Sequence, residues 1–293
     1  MTLERIIKMY EEVTEYHISE LTSIIAKDIG VSDKAVGELG RSLLILSAEK
    51  IMDRWKTGKK YLRTLHALKA MPNYPEEIFK LSVSIDAIVN NLDDLIDENL
   101  DNEAKTLYVV EVIKLFSMFN YQNADQETKN LIANYFNKLI SIALLEKFYY
   151  GLIKSGHNAE RPLEHVLPLY DCRSLDMDIF VELPMMKTSG GVKSMKDVVE
   201  VARCFRALNL LKKDISDFQH DKEQGQSTLM TIFYHDKMRL RSIIETMVVH
   251  YLDKSRKLDS GDEFKGIVEN YQRMSEEEAK EVLLATEALL GIS

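Results

Sequence analysis

The stretch PEEIFKLSVSIDAIVNNLDDLIDENL (residues 75–100) decides the fold. Pro75 stands where a first helical turn tolerates proline, and Glu76 and Glu77 follow where the helix dipole favours negative charge. Ile78, Leu81, Ile85, Ile88 and Leu92 recur at helical spacing, so a long helix runs through them. The run ends in Asp93, Asp94 and Asp97, a DDxxD pattern whose i,i+4 spacing puts Asp93 and Asp97 on one face. Two carboxylates so placed in an otherwise apolar helix suit Mg²⁺, a hard cation that shares its shell between water and phosphate oxygens. A solvated acidic helix end is the plain alternative.

The same period extends in both directions. Ile6, Ile7, Tyr10, Val13, His17, Leu21, Ile24 and Ile25 share a face that ends near Gly30. Ser32 can cap a second helix through Leu43, Leu44, Leu46 and Ile51. Helical patterns follow at about 102–119, 124–154, 196–222 and 237–258. Ser275 with Glu278 three residues on has capping-box spacing and announces a last helix. Residues 155–165 (SGHNAERPLEH) read as a loop, and neither a linker nor an internal repeat stands out. The 293 residues hold only 12 Gly and 5 Pro, too few turn formers for a β-rich fold. The expectation is one all-α domain over 1–293 with roughly ten or more helices.

Charge and cysteine usage exclude some functions. A net charge of −9 disfavours a nucleic-acid partner, because phosphate-backbone binders concentrate positive charge. It leaves room for an anionic ligand reached through bridging cations. Cys172 and Cys204 have no CxxC spacing, which argues against a zinc site or a disulfide framework. The N-terminal MTLERIIKMYEEV resembles neither a signal nor a transit peptide. No run approaches the ~18 apolar residues of a membrane span. A soluble cytoplasmic protein is expected, not an integral membrane protein.

A second acidic cluster lies in LLKKDISDFQHDKEQGQSTL (210–229). Asp217 and Asp221 are i,i+4, with Asp214 one turn before Asp217. Two such clusters on separate long helices, facing each other across a cavity, could clamp a diphosphate through bridging metals.

Five segments, in order, give the chain a resemblance to the trans-polyprenyl diphosphate synthases, which are class I isoprenoid synthases. GELGRSLLILSAE (37–49) resembles the GKRLRP segment and keeps Gly37 and Arg41, while NLDDLID (91–97) resembles the first aspartate-rich motif. MMKTSGG (185–191) is similar to the Lys-Thr motif, making Lys187 and Thr188 candidate diphosphate ligands. KDISD (213–217) stands where the second DDxxD belongs, and DKEQGQSTLM (221–230) resembles the D-x-x-x-G-K-x-T-L-P segment after it.

The resemblance implies an isoprenoid synthase-type helical bundle around a central cavity, and commonly a homodimer. It implies magnesium held by Asp93, Asp94, Asp97, Asp214, Asp217 and Asp221, with Lys187 adding a direct charge. The diphosphate then leaves an allylic cation that a nucleophile captures in an apolar cavity.

The departures concern the second substrate. The Lys and first Arg of GKRLRP are here Glu38 and Leu39, and the His expected seven residues before the first aspartate motif is Asp86. The paired arginines after DDxxD are absent from ENLDNEAKT (98–106), which leaves Arg41. At an effective dielectric of ~20, each close unit-charge pair so exchanged changes by several kcal/mol. Isopentenyl diphosphate is therefore a poor fit, and an unknown acceptor is expected. Glu38 and Asp86 are candidates to orient or deprotonate its hydroxyl. Lys213 replaces the first Asp of the second motif and could occupy one metal's place or contact the diphosphate. Gln226 replaces the GK lysine.

Ile85, Ile88 and Val89 occupy the positions that gauge chain length, and none is a bulky aromatic, so farnesyl or longer chains are expected. Phe79 or the Phe148, Tyr149 and Tyr150 group could close the tunnel instead, although ordinary packing is their simpler role. The histidines show no metal-ligand spacing, and His220 alone lies near the proposed chemistry. Other readings are a terpene cyclase, a conventional elongating synthase and a non-catalytic subunit of a heteromeric prenyl diphosphate synthase.

Overall fold

The structure is a computed structural model, and it describes residues 61–97, 109, 125–156, 160–188, 195–259 and 261–291. Every element among them is helical. The helices expected over 6–25, after Ser32 and, residue 109 apart, over 102–119 lie outside the described residues, as do Glu38 and Arg41. The chain divides into two compact units, Met1–His66 with Glu76–Asp125 and Ala67–Pro75 with Gln126–Ser293.

The described part of the first unit is built on two elements. Helix α1 (Leu62–Ala70) runs from it into the second unit. Helix α2 (Glu76–Asp97) starts just after Pro75, as the sequence predicts. Residues 82–89 of α2 are all buried, so this stretch is enclosed on every side rather than amphipathic. Ile85 and Ile88 are within that stretch.

Asp86 is completely buried there, and its carboxylate is fully engaged. It accepts from Arg63 Nη1 at 2.8 Å, from the Thr64 backbone N–H at 2.9 Å and from Asn90 Nδ2 at 3.1 Å. Thr64 Oγ1 adds a fourth contact at 3.3 Å. The expectation that Asp86 orients an acceptor hydroxyl therefore gives way to a structural role. Its charge ties α1 to α2.

The second unit is organised around α6. In chain order its helices are α3 (Gln126–Lys154), α4 (Leu163–Arg173), a 3₁₀ turn (Ser174–Met177), α5 (Asp178–Thr188) and α6 (Met195–Ser216). Then come α7 (Phe218–Glu223), α8 (Leu229–Phe233), α9 (Lys237–Arg256) and α10 (Lys265–Leu290). Helix α6 packs against α4, α5, α9 and α10 together. Val198, Val201, Ala202, Cys204, Ala207, Leu208 and Leu211 are buried around its circumference, as expected of a helix with no solvent face over most of its length. Each fully buried Val or Leu contributes roughly 1.5–3 kcal/mol.

Ion pairs fix the 3₁₀ turn and the first residue of α5 against α6. Arg206 holds Asp176 through two hydrogen bonds of 2.8 and 2.6 Å, and Arg203 holds Asp178 through two of 2.7 Å. As α6 is followed forward from 203 to 206, its partner runs backward from 178 to 176. The two segments are antiparallel.

Two boundaries differ from the sequence reading. The last helix does not begin at Ser275. It begins at Lys265, and Ser275 lies buried in its interior with its hydroxyl donating to the Tyr271 carbonyl at 2.9 Å. Glu278, the supposed capping partner, instead accepts from Asn209 of α6 at 2.9 Å. The pattern over 196–222 is also interrupted, at Asp217, although the backbone bonds Asp217 N to Lys213 O (2.8 Å) and Asp221 N to Asp217 O (2.9 Å) continue the helical spacing across the break.

Candidate functional site

The second acidic cluster sits where α6 gives way to α7. Because the i→i−4 bonds carry through the turn, Asp214, Asp217 and Asp221 keep i, i+3 and i+7 spacing and share a face. Asp214 is buried, and its carboxylate is held from α4. Arg173 donates to both of its oxygens, at 2.6 and 3.0 Å, and the Tyr170 hydroxyl donates at 2.5 Å. Arg173 also reaches the Tyr150 hydroxyl at 3.2 Å and Glu146 at 3.2 Å, which brings in α3.

The electrostatics follow from that packing. Burial works against the Arg173 charge, but Asp214, Tyr150 and Glu146 more than offset it, so the guanidinium is held firmly protonated. Burial and then the Asp214 charge push the Tyr170 phenol well above its ordinary range, so it stays a donor. Among the described residues Asp221 has no such donor set. Burial first, then the charges of Asp214 and Asp217, raise its carboxyl from 3.8 to about 6, with His220 and Lys213 pulling weakly the other way.

The cluster could offer a cation two carboxylates. Among the described residues no three His, Cys, Asp or Glu side chains are grouped to hold a metal alone. The donors are instead a crowded pair, Asp217 and Asp221, whose repulsion a divalent cation would relieve. A set of one or two carboxylates completed by water and phosphate oxygens is the arrangement magnesium prefers. Asp214 contributes as an anchored neighbour, its oxygens already taken by Arg173 and Tyr170.

The other expected residues fall in several places. Asp93 is exposed near the end of α2, while the side chains of Asp94, Asp97 and Thr188 lie outside the described residues. Lys213 is exposed and close enough to Asp221 to lower its carboxyl pKa. Lys187 is exposed at the C-terminal end of α5. The antiparallel register carries α5 away from the Asp214 end of α6. At 1.5 Å per residue, the nine residues from Asp178 to Lys187 move it roughly 14 Å further off. The backbone at Lys187 is therefore not brought together with Asp217 and Asp221. Arg173 is the basic residue that anchors this cluster.

No protein-family model, curated protein or solved structure matches this chain. The site thus stands on its own geometry. Arg173, Tyr170, Tyr150 and Glu146 were not singled out for chemistry in the sequence. The available signal was Tyr170 and Arg173 at i,i+3 in LPLYDCR, a cation inside a helix that otherwise reads as core.

Proposed function

We propose that the chain is a prenyltransferase-type enzyme of the class I isoprenoid synthase kind. It ionises an allylic prenyl diphosphate, farnesyl or longer, and passes the prenyl group to an acceptor other than isopentenyl diphosphate. The observation that carries the reading is the Asp217/Asp221 pair at the end of the buried helix α6, its neighbour Asp214 fixed from α4 by Arg173 and Tyr170. Magnesium bound there would neutralise diphosphate charge and make it a better leaving group.

The chain's own residues supply the rest. Asp217 and Asp221 hold the cation. Arg173 and Tyr170 act as positioning residues by locking the last turn of α6. Lys187 and Asp86 are given no part in the chemistry, for the reasons given above.

The internal neutralisation of Asp214 favours a second reading. A metal cluster reduced from three available carboxylates to two also suits a non-catalytic subunit of a heteromeric prenyl diphosphate synthase.

Titration of the protein alone with a non-ionisable thio analogue of farnesyl diphosphate, with and without Mg²⁺, tests the binding step. The enzyme reading expects magnesium-dependent binding that Asp217→Asn and Asp221→Asn each weaken about tenfold or more, as loss of a charged ligand does. Binding that ignores magnesium would sink it.

A further inference from the structure

Beyond the acidic cluster, the second unit contains a cleft of about 500 Å³ between the end of α3, the start of α4 and the segment from α7 to α9. Its ionisable lining is entirely basic or imidazole: Lys154, Lys222, Arg239, His165 and His235. None of Asp214, Asp217 and Asp221 lines it. Three carboxylates nearby in sequence are turned to other work. Glu164 accepts from Arg161, Glu223 from Gln219, and Asp236 from the backbone N–H of Arg239. Among the described residues no carboxylate pairs with Lys154, Lys222 or Arg239. In a chain of net charge −9, three such cations around one cleft stand out.

The cations are held in place by rings and hydroxyls. The Arg239 guanidinium sits 5.1 Å from the Phe233 ring centre, and Lys222 Nζ lies 5.8 Å from Phe218 and 5.9 Å from Tyr234. All three distances are in the range of cation–π attraction. Lys154 Nζ donates to Ser227 Oγ at 3.4 Å. Gly225, at φ 68°, turns the chain in a way that a side chain would resist. A reciprocal capping box between Thr228 and Thr231 then fixes the floor. Like charges gathered without a counterion repel, and an anion entering the cleft relieves that repulsion while meeting donors that are already oriented.

We propose that this cleft binds the phosphate group of a small phosphorylated organic molecule without the help of a metal ion. Arg239 offers a planar fork of donors, and the lysines add point charges. The organic part follows from the size and the walls. The volume lies within the ~300–1,000 Å³ of small-ligand sites, and Ile153, Ile232 and Phe233 give one side an apolar face. The proposal is independent of the prenyl diphosphate reading, since it uses neither aspartate cluster.

Calorimetric titration of the full chain in EDTA, with inorganic phosphate, phenyl phosphate and phenol as probes, tests it. The expected result is that phenyl phosphate binds more tightly than phosphate and that phenol does not bind. Lys222→Gln combined with Arg239→Gln weakens phenyl phosphate about tenfold or more, and Arg239→Lys alone, which keeps the charge but loses the fork, weakens it less than the double variant does. Asp217→Asn leaves it unchanged, which separates this site from the acidic cluster. The helical circular dichroism of each variant confirms folding. Three results would overturn the proposal: no phosphate probe binds in EDTA, phenol competes as well as its ester, or the double variant binds as the parent does.

Discussion

Replacing Asp221 by Asn should stabilise the protein at neutral pH, and the size of that gain can be worked out. Burial and the neighbouring Asp214 and Asp217 raise the Asp221 carboxyl from 3.8 to about 6. A carboxylate whose folded pKa lies above its unfolded value stabilises the fold only while it is protonated. That contribution is present below the unfolded pKa and is lost as pH rises through about 6. Ionised Asp221 at pH 7.5 therefore costs stability, with an upper bound of about 3 kcal/mol from the displacement itself. Solvent at the site screens part of the repulsion, which brings a realistic figure to roughly 1–2 kcal/mol. Urea unfolding at pH 7.5 and pH 4 measures it. Asp221→Asn should gain roughly that amount at pH 7.5 and close to nothing at pH 4. Magnesium should stabilise the parent at pH 7.5 and the variant much less. A variant less stable than the parent at pH 7.5, or a gain equal at both pH values, would refute the crowding argument.

Other outcomes follow from the same geometry. Arg173→Met leaves Asp214 buried without its cation and should cost about 3–5 kcal/mol in urea unfolding, and adding Asp214→Leu should recover part of the loss. Asp86→Ala should destabilise by about 2 kcal/mol or more, because Arg63 and the Thr64 N–H lose a buried acceptor, again read by urea unfolding. Lys187→Gln should leave magnesium-dependent binding of the farnesyl thio analogue within about twofold, a direct check on the antiparallel register of α5 and α6. Cys204 is buried and its thiol is pushed up to about 12, so an aromatic disulfide reagent at pH 8 should label it only after denaturation.

Much of the helical framework was legible in the sequence, for reasons that can be named. Helix α2 carried its own start signal in Pro75 and a periodic apolar face, and it begins at Glu76. The carboxylate spacing of Asp217 and Asp221 survived because the backbone bonds run through the turn at Asp217. No helical apolar pattern marks residues 163–188, yet they form α4 and α5 with Pro168 and Pro184 inside them. Their faces are set by packing on α6, which no local pattern reports.

The site was legible in part. Carboxylate pairs declare themselves through spacing, whereas the cation that anchors Asp214 comes from a helix some 40 residues earlier and depends on tertiary register. The Lys187–Thr188 pair matched a motif in letters, but the antiparallel run of α5 carries it to the far end of α6. Asp86 looked available in sequence, yet three neighbouring residues, Arg63, Thr64 and Asn90, fill its carboxylate. The basic cleft draws on α3, α4 and the α7–α9 segment, so no single stretch of sequence announces it.

The most direct test of the central claim is diphosphate release from C10 to C25 allylic diphosphates with Mg²⁺, with and without isopentenyl diphosphate, followed by product analysis. The account predicts release that needs magnesium, does not need isopentenyl diphosphate and is lost in Asp217→Asn with Asp221→Asn. No release from any of these substrates, or release only when isopentenyl diphosphate is present and elongated products form, would contradict it.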